Sequence, residues 1–294
     1  MYEDKKKNVF QKFFDKYEKK IEKIEKKLTN VIQGEIQKLD VNKEGNFKQT
    51  IINLNKLNVI QANFIKEYQK QIEPLIKDFV KSLSSSLKEN KIYFKDISKV
   101  KYNGEIGETV LKRRLGINDK GGLKKNGYLG RIVRNTAIAN DIRTMLEMDI
   151  ANGRNFGATS EKLNDYLETN KNKRSRIKAY LDTTIRDTYI QNDRAITNEQ
   201  ANKYQLFHFI YAGTIVERSR CFCIERVGKA FSIEEAQGWR ELIGQECAPI
   251  VGIKAENLNE KKLNYDPLLD MGGWGCLHIP RYITENMYNS MKKE

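Results

Sequence analysis

Hydrophobic residues recur at alternating steps of four and three near the start of the chain, and lysine and glutamate occupy most positions between them. This spacing is typical of a long amphipathic helix with one narrow hydrophobic seam. A polar turn over residues 40–46 separates it from a second stripe, which runs from Phe47 to about Leu87. The pattern predicts a helical hairpin over residues 1–100, whose first seam packs inside the hairpin or docks on a partner. The residues of that seam are Phe10, Phe14, Tyr17, Ile21, Ile24, Leu28 and Val31.

Pro74 falls inside the second stripe. Proline removes a backbone donor and its ring clashes with the preceding turn of a helix. We therefore expect Pro74 to kink the second arm of the hairpin or to split it into two helices. The chain has only four prolines, and this scarcity favours a mainly helical protein.

The middle of the chain passes from a glycine-rich pattern to a helical one. Glycine is frequent over residues 91–131, which predicts an irregular connector with short elements. Helical periodicity returns over residues 132–150 and again over residues 174–203. Between these two stretches, Thr159 and Ser160 precede an acidic residue and predict the capped start of a short helix.

The C-terminal part of the chain has a different pattern. An aromatic and aliphatic run, Phe207–Gly213, ends in glycine and predicts a strand. The segment Ser232–Glu235 predicts a capped helix start, and prolines and glycines interrupt the remainder. Residues 206–294 therefore predict a small, loop-rich α+β module, preceded by a glycine-rich connector and basic helical region over residues 101–205. The predicted fold class is mainly α with a small C-terminal α+β module.

Composition excludes several classes of protein. The chain has 294 residues, of which 39 % are hydrophobic and 31 % charged, and no uncharged stretch approaches the roughly 18 residues of a membrane span. The N-terminal lysines are not followed by an apolar segment, so we expect neither a signal peptide nor a membrane anchor. Four cysteines are too few for a secreted disulfide framework. They fit a soluble protein in a reducing cytoplasm, where metal binding or burial is expected more than a disulfide.

The net charge of +14 is unevenly distributed. Residues 1–100 carry +8, residues 101–205 carry +7 and residues 206–294 carry −1. Such an excess favours non-specific contact with a polyanion such as double-stranded DNA. The lysines of the first helix alternate with glutamates, so a solvated helix face explains them equally well. The better candidates for nucleic-acid binding have fewer acidic neighbours and are Arg113, Arg114, Lys124, Lys125, Arg131 and Arg134.

The cysteines and histidines supply the candidate metal ligands. Cys221 and Cys223 are two residues apart, as are Cys276 and His278. On extended backbone such pairs point to the same side, so two strands could present three thiolates and an imidazole to one zinc ion. Four protein ligands would make that zinc structural, because no position stays open for water. The alternative is that Cys223, Cys276 and His278 are packed core residues and that Cys221 is incidental.

Charged residues surround the first cysteine pair. Arg220, Arg226 and Lys229 lie among Glu217 and Glu225, which favours salt bridges that hold the loop in place. No spacing in this region identifies a nucleophile beside a general base. The sequence therefore predicts a protein without a catalytic site.

Two segments of the C-terminal module also carry a resemblance to a known family. Residues 219–229 read Ser-Arg-x-x-Cys-x-x-Arg-x-Gly-Lys, and residues 272–278 read Gly-Gly-x-x-Cys-x-His. With these segments the module resembles the minor head, or head morphogenesis, proteins of tailed bacteriophages that are related to protein F of phage Mu. The matching residues are Ser219, Arg220, Cys223, Arg226, Gly228, Lys229, Trp239, Gly272, Gly273, Cys276 and His278.

The resemblance is close over residues 204–282 and looser from about residue 130. Leu277 stands where the family commonly has arginine, and Cys221 is additional. The resemblance does not by itself imply an enzyme. It implies a protein that is made in the host cytoplasm and built into the virion, in the head interior or at the portal vertex. It implies the portal or the major capsid protein as partner, non-specific contact with DNA, and a role in packaging or ejection. Two alternatives stay open: a metal-dependent nuclease, and an effector or toxin carried in the virion.

Overall fold

The computed structural model describes residues 2–96, 98–217, 219–252, 254–273 and 275–293, and the side chains of 2–12, 86, 89 and 255 lie outside its description. Helices dominate, and a three-stranded antiparallel sheet lies in the C-terminal module. The predicted fold class, mainly α with a small α+β module, is therefore confirmed. Within the described residues, no helix has the length and hydropathy of a membrane span.

Three long helices and many short elements make up the chain. The long ones are α1 (Tyr2–Ile36), α2 (Ile51–Asp96) and α7 (Arg176–Lys203). The shorter helices are α3 (Gly104–Leu115), α4 (Tyr128–Val133), α5 (Ala137–Ala151), α6 (Phe156–Leu167), α8 (Cys221–Ile224), α9 (Ile233–Gln237), α10 (Leu258–Asn264), α11 (Pro267–Asp270) and α12 (Glu285–Met291). Two 3-10 helices span Gly238–Leu242 and Ala255–Asn257, and the strands are β1 (His208–Ala212), β2 (Ala230–Ser232) and β3 (Ile279–Ile283).

The hydrophobic seam of α1 is buried. The side chains of Phe14, Tyr17, Ile21, Ile24 and Leu28 are all buried, and that of Phe10 lies outside the described part. The last predicted seam residue, Val31, is half-buried, and the next residue, Ile32, is buried in its place. The side chains of α1 contact those of α2: the rings of Phe13 and Phe79 are 5.6 Å apart, and Lys27 pairs with Glu67 at 3.2 Å. The expected hairpin therefore forms, and its seam packs within it.

Pro74 does not split α2. The helix runs unbroken through it for 46 residues. Leu75 and Ile76 directly after the proline are buried, as is Ile72 before it. The lost hydrogen bond is local, whereas the apolar stripe continues in phase on both sides, so burial of the stripe keeps the helix continuous. Of the two predicted outcomes, the split into two helices is wrong, and the kink at Pro74 stays a prediction.

Two helix starts in the middle of the chain differ from the prediction. The short helix α6 begins at Phe156 and is capped by Asn155, whose side chain accepts from the N–H of Gly157 at 2.9 Å. Thr159 lies inside the helix instead, buried and donating to Asp149 at 2.9 Å. The helical stretch predicted over residues 132–150 is divided, because α4 ends and α5 begins within it. The glycine-rich connector carries α3 and α4.

The C-terminal module is organised around its sheet. The strand order is β2-β1-β3, with every pair antiparallel. Phe209 in β1 lies opposite Phe231 and Tyr282 on its two neighbours, and its ring is 6.1 Å from that of Trp239. The predicted capped start of α9 is confirmed, since Ser232 and the residue three positions later form a complete capping box. Aromatic side chains thus fill the core beneath β1.

The chain forms two compact units. The first unit comprises Met1–Lys6, Leu83–Arg114 and Thr183–Glu294, and the second comprises Lys7–Ser82 and Leu115–Asp182. Each unit combines segments that are distant in sequence, and α2 and α7 contribute residues to both. The division into residues 1–100, 101–205 and 206–294 follows the chain order and stays a prediction.

Candidate metal centre

Two thiols and one imidazole meet in the first unit. Cys223 is on α8, and Cys276 and His278 lie on the segment that leads into β3. The three ligand atoms are all within 4.8 Å of one another. The two sulfurs are 3.9 Å apart, and the sulfur of Cys276 is 3.5 Å from Nδ1 of His278. All three side chains are buried, so the structure brings together three of the four predicted ligands.

Cys221 does not join this cluster. It forms a disulfide with Cys247. The backbone from Cys221 to Ile224 is helical, whereas the sequence interpretation assumed an extended strand. Residues two apart on a helix point to nearly opposite sides, so Cys223 faces the core while Cys221 is exposed. The prediction of a fourth ligand at Cys221 is wrong, and a disulfide forms where metal binding or burial was expected more.

The second pair follows the expected geometry. Cys276 and His278 are buried, and Leu277 between them is 51 % exposed. This alternation is that of extended backbone. The side chain at position 277 therefore points away from the cluster.

The backbone at Gly272 lies directly against the two sulfurs of the cluster. A Cβ atom at this position would lie 2.4 Å from the sulfur of Cys223 and 3.0 Å from that of Cys276. Its N–H donates to the sulfur of Cys276 at 3.3 Å. Gly273 has a φ of +82° and packs on the carbonyl of Pro249. Both glycines of the motif are therefore required by the backbone, and a phosphate-binding role is not needed to explain them.

Arg194 on α7 holds the second segment in place. Its guanidinium group, 2 % exposed, donates to the carbonyl oxygens of Leu269, Cys276 and His278 at 2.6–2.8 Å. No sequence signal marked this residue, because an arginine in a polar helix is usually solvated. Its partners are backbone groups, which leave no trace in the pattern of residue types.

Arg220 joins the two motif segments. It lies at the start of α8 and donates to the carbonyl of Gly272 at 2.7 Å. Arg226 forms the expected salt bridge with Glu225 at 3.2 Å and also stacks over the ring of Phe222 at 3.9 Å. The loop is thus held by hydrogen bonds to carbonyl groups and by stacking as well as by an ion pair.

The remaining motif residues have structural contacts. Ser219 closes a turn with Val216, whose N–H donates to the serine Oγ at 2.8 Å. Gly228 has a φ of +81°, which favours glycine at the turn. Lys229 is exposed, and its carbonyl accepts from the N–H of Tyr211 at 3.0 Å. Trp239 is buried in the aromatic core.

Tyr211 on β1 completes the surroundings of the cluster. Its hydroxyl donates to the sulfur of Cys223 at 3.3 Å and lies 3.7 Å from that of Cys276. Burial and the two neighbouring thiols raise the pKa of this tyrosine. In the sequence, this residue lies within the run Phe207–Gly213, and no spacing marks it as a neighbour of the cysteines. Its register on β1 is what brings it to the sulfurs.

The two thiols are electrostatically unequal. The hydrogen bond from Cys223 lowers the pKa of the Cys276 thiol, helped by His278 and Arg194 against the effect of burial. The same hydrogen bond and burial raise the pKa of Cys223. The two thiols therefore titrate as a pair, in which the surroundings of Cys276 favour the negative charge. Two buried cysteine sulfurs beside an imidazole are a donor set suited to zinc.

The candidate nucleic-acid residues divide between the units. Arg113 and Arg114 are on α3 in the first unit, where the exposed Arg113 pairs with Glu199 at 2.8 Å. The other four lie in the second unit. There α4 packs on the chain that precedes it: a Cβ atom on Gly130 would lie 2.0 Å from the carbonyl oxygen of Lys124. This contact brings together four exposed basic side chains, Lys124, Lys125, Arg131 and Arg134.

Comparison of the chain with protein-family models, with curated proteins and with solved structures finds no match. The resemblance to phage head proteins rests on the two motif segments of the sequence.

Proposed function

We propose that this chain is a minor head protein of a tailed bacteriophage, which associates with the portal or the inner capsid during head assembly. One observation carries the proposal: the two segments behind the resemblance form a single site. The guanidinium of Arg220 reaches the carbonyl of Gly272, and the sulfurs of Cys223 and Cys276 are 3.9 Å apart although 53 residues separate them in sequence.

The contacts of the motif residues support a structural role. Gly272 allows the backbone to approach two sulfurs, and Arg220 and Arg226 bind carbonyl oxygens. Each of these residues shapes the module and none is presented on its surface as a reactive group. A motif of this kind defines a fold whose outer surface is free to bind other head components. The proposed role is therefore architectural, without catalysis.

The basic cluster of the second unit supports contact with DNA. Among the described residues, no carboxylate forms an ion pair with Lys124, Lys125, Arg131 or Arg134. Exposed cations without a neutralising partner attract phosphate groups irrespective of base sequence. A protein inside a phage head meets packaged double-stranded DNA, so the proposed contact is non-specific and depends on salt.

Mass spectrometry of purified procapsids and mature heads tests the proposal. We expect the chain in both, in few copies relative to the major capsid protein, and cross-linked to the portal or the capsid shell by a short-range reagent. The control is a phage from which this gene is deleted, whose particles should yield no peptide of the chain. Absence of the full-length chain from procapsids and mature heads contradicts the proposal.

A nuclease assay tests the principal alternative. The purified protein is incubated with DNA and with RNA in the presence of zinc or magnesium, and we expect no cleavage. Cleavage that disappears in His278→Ala and persists in Cys221→Ser would assign catalysis to the cluster and contradict an architectural role. Growth arrest of a host that expresses the chain alone would favour the effector alternative.

A further inference from the structure

The donor atoms of the cluster have the spacing of a zinc site. Zinc binds thiolate sulfur at about 2.3 Å and imidazole nitrogen at about 2.0 Å in tetrahedral geometry. These lengths place two sulfur ligands about 3.8 Å apart and a sulfur and a nitrogen about 3.5 Å apart. The observed separations are 3.9 Å between Cys223 and Cys276 and 3.5 Å between Cys276 and His278.

Tyr211 occupies the remaining side of the cluster. An oxygen ligand at about 2.0 Å from zinc would lie about 3.5 Å from each sulfur. The tyrosine hydroxyl is 3.3 Å and 3.7 Å from the two sulfurs. The distances from the hydroxyl to both sulfurs thus fit a fourth ligand, and the side that would face water in a catalytic site is closed by a buried phenol.

The surroundings are those of ligated thiolates. The N–H of Gly272 donates to the sulfur of Cys276, and Arg194 fixes the carbonyls of Cys276 and His278. Such outer contacts orient metal ligands and stabilise their charge. Within the described residues, Nε2 of His278 is buried without a hydrogen-bond partner. The polar contact that orients the ring of His278 is therefore the one between its Nδ1 and the sulfur of Cys276.

We propose that Cys223, Cys276 and His278 bind one structural zinc ion, with the hydroxyl of Tyr211 at the fourth vertex. The ion ties together α8, the segment before β3, and β1. The site differs from the sequence prediction by excluding Cys221, whose disulfide lies outside it. The inference is independent of the proposed function, because it rests on the geometry of the donor atoms alone.

Cobalt(II) titration of the reduced, chelator-treated full-length chain tests the site. Cobalt in a tetrahedral thiolate site absorbs strongly in the visible range and shows sulfur-to-metal charge transfer in proportion to the number of thiolates. We expect one cobalt per chain, displaced by zinc, with the intensity of two thiolates. Cys223→Ser and Cys276→Ser should each halve that intensity. Elemental analysis of the protein as purified should find about one zinc per chain.

The double variant Cys221→Ser/Cys247→Ser is the matched control, since it also removes two thiols. We expect it to bind cobalt with unchanged stoichiometry and spectrum. Tyr211→Phe should keep both thiolate bands and shift the ligand-field bands, because water replaces the phenol.

Three results would overturn the site. They are failure of the wild-type chain to bind cobalt or zinc, loss of binding in the control variant, and a Cys223–Cys276 disulfide in the protein as purified. The thiolate count comes from the wild-type spectrum, so a serine variant that fails to fold does not remove the test. An unchanged spectrum in Tyr211→Phe would overturn the assignment of the fourth vertex.

Discussion

Arg194 donates two hydrogen bonds to the carbonyl oxygen of His278, from Nε at 2.8 Å and from Nη2 at 2.6 Å. The two residues are 84 positions apart in the sequence, one in the middle of α7 and the other at the entry to β3. This contact anchors the second motif segment to the long helix of the same unit. The position of the histidine in the cluster thus depends on an arginine that touches neither sulfur in the described contacts.

Replacing Arg194 by methionine should strongly destabilise the first unit. The substitution keeps an unbranched side chain but leaves the carbonyls of Leu269, Cys276 and His278 without their donor. Removing a buried charged donor and leaving its acceptors without a partner lowers the free energy of unfolding by roughly 3 to 5 kcal/mol. Urea denaturation followed by the fluorescence of the tryptophans measures the change. Arg113→Met is the control, because that side chain is 66 % exposed and forms a surface ion pair, and a similar loss in it would refute the prediction.

Gly272→Ala should disrupt the cluster. The added methyl group would lie 2.4 Å from the sulfur of Cys223, and overpacking of this kind costs about 1 to 3 kcal/mol. Gly238→Ala is the matched control, since nothing lies within 4 Å of a Cβ atom there and its φ of −63° suits alanine. The midpoint of thermal unfolding reports both. Equal midpoints for the two variants would show that the backbone at residue 272 does not approach the sulfurs.

The Cys221–Cys247 disulfide should stabilise the first unit. It closes a loop with a sequence separation of 26, for which chain entropy gives a stabilisation of about 3.5 kcal/mol. Reductant should therefore lower the unfolding free energy of the wild-type chain by about this amount. The double variant Cys221→Ser/Cys247→Ser should be insensitive to reductant. A non-reducing peptide map that lacks the Cys221–Cys247 pair would contradict the assignment.

Neutralising the basic cluster of the second unit should weaken DNA binding and its dependence on salt. Each phosphate contact contributes about 0.9 to the slope of log affinity against log salt concentration. Glutamine at Lys124, Lys125, Arg131 and Arg134 should therefore reduce the slope by up to about 3.6. Fluorescence anisotropy with a double-stranded oligonucleotide at several salt concentrations measures it.

The control for that experiment removes four lysines that have carboxylate partners in the same unit. We expect glutamine at these positions to leave the slope unchanged, because their charges are already neutralised locally. The positions are Lys38, Lys70, Lys77 and Lys81. Equal reductions in the two quadruple variants would show that net charge governs binding and that the cluster does not.

The sequence predicts those parts of the fold that periodicity and local chemistry determine. The seam of α1 follows from steps of three and four, and the cap of α9 from Ser232 and Glu235. At Pro74 the helix α2 continues without a break. The packing of the apolar stripe on both sides outweighs the tendency of a proline to end a helix. The sequence places the start of α6 near Thr159, whereas the helix begins at Phe156 with Asn155 as its cap. The cap is not evident from the sequence because Asn155 lies in a glycine-rich stretch that also suits a turn.

The site was predictable only where the backbone is extended. The pairing of Cys276 with His278 follows from the alternation of a strand. Cys221 is kept out of the cluster by the short helix α8 and by its disulfide with the distant Cys247. The spacing of the cysteines in the sequence predicts neither feature. Arg194 acts through hydrogen bonds to backbone carbonyls, and Tyr211 reaches the sulfurs through its register on β1. Only the tertiary structure sets these two relationships.

X-ray absorption at the zinc edge of the full-length protein tests the central claim most directly. The account predicts two sulfur ligands at about 2.3 Å, with nitrogen and oxygen ligands at about 2.0 Å making up the remainder. Three or four sulfur ligands would bring Cys221 or Cys247 into the site and contradict the account. A shell of nitrogen and oxygen alone would show that the cysteines do not bind the metal.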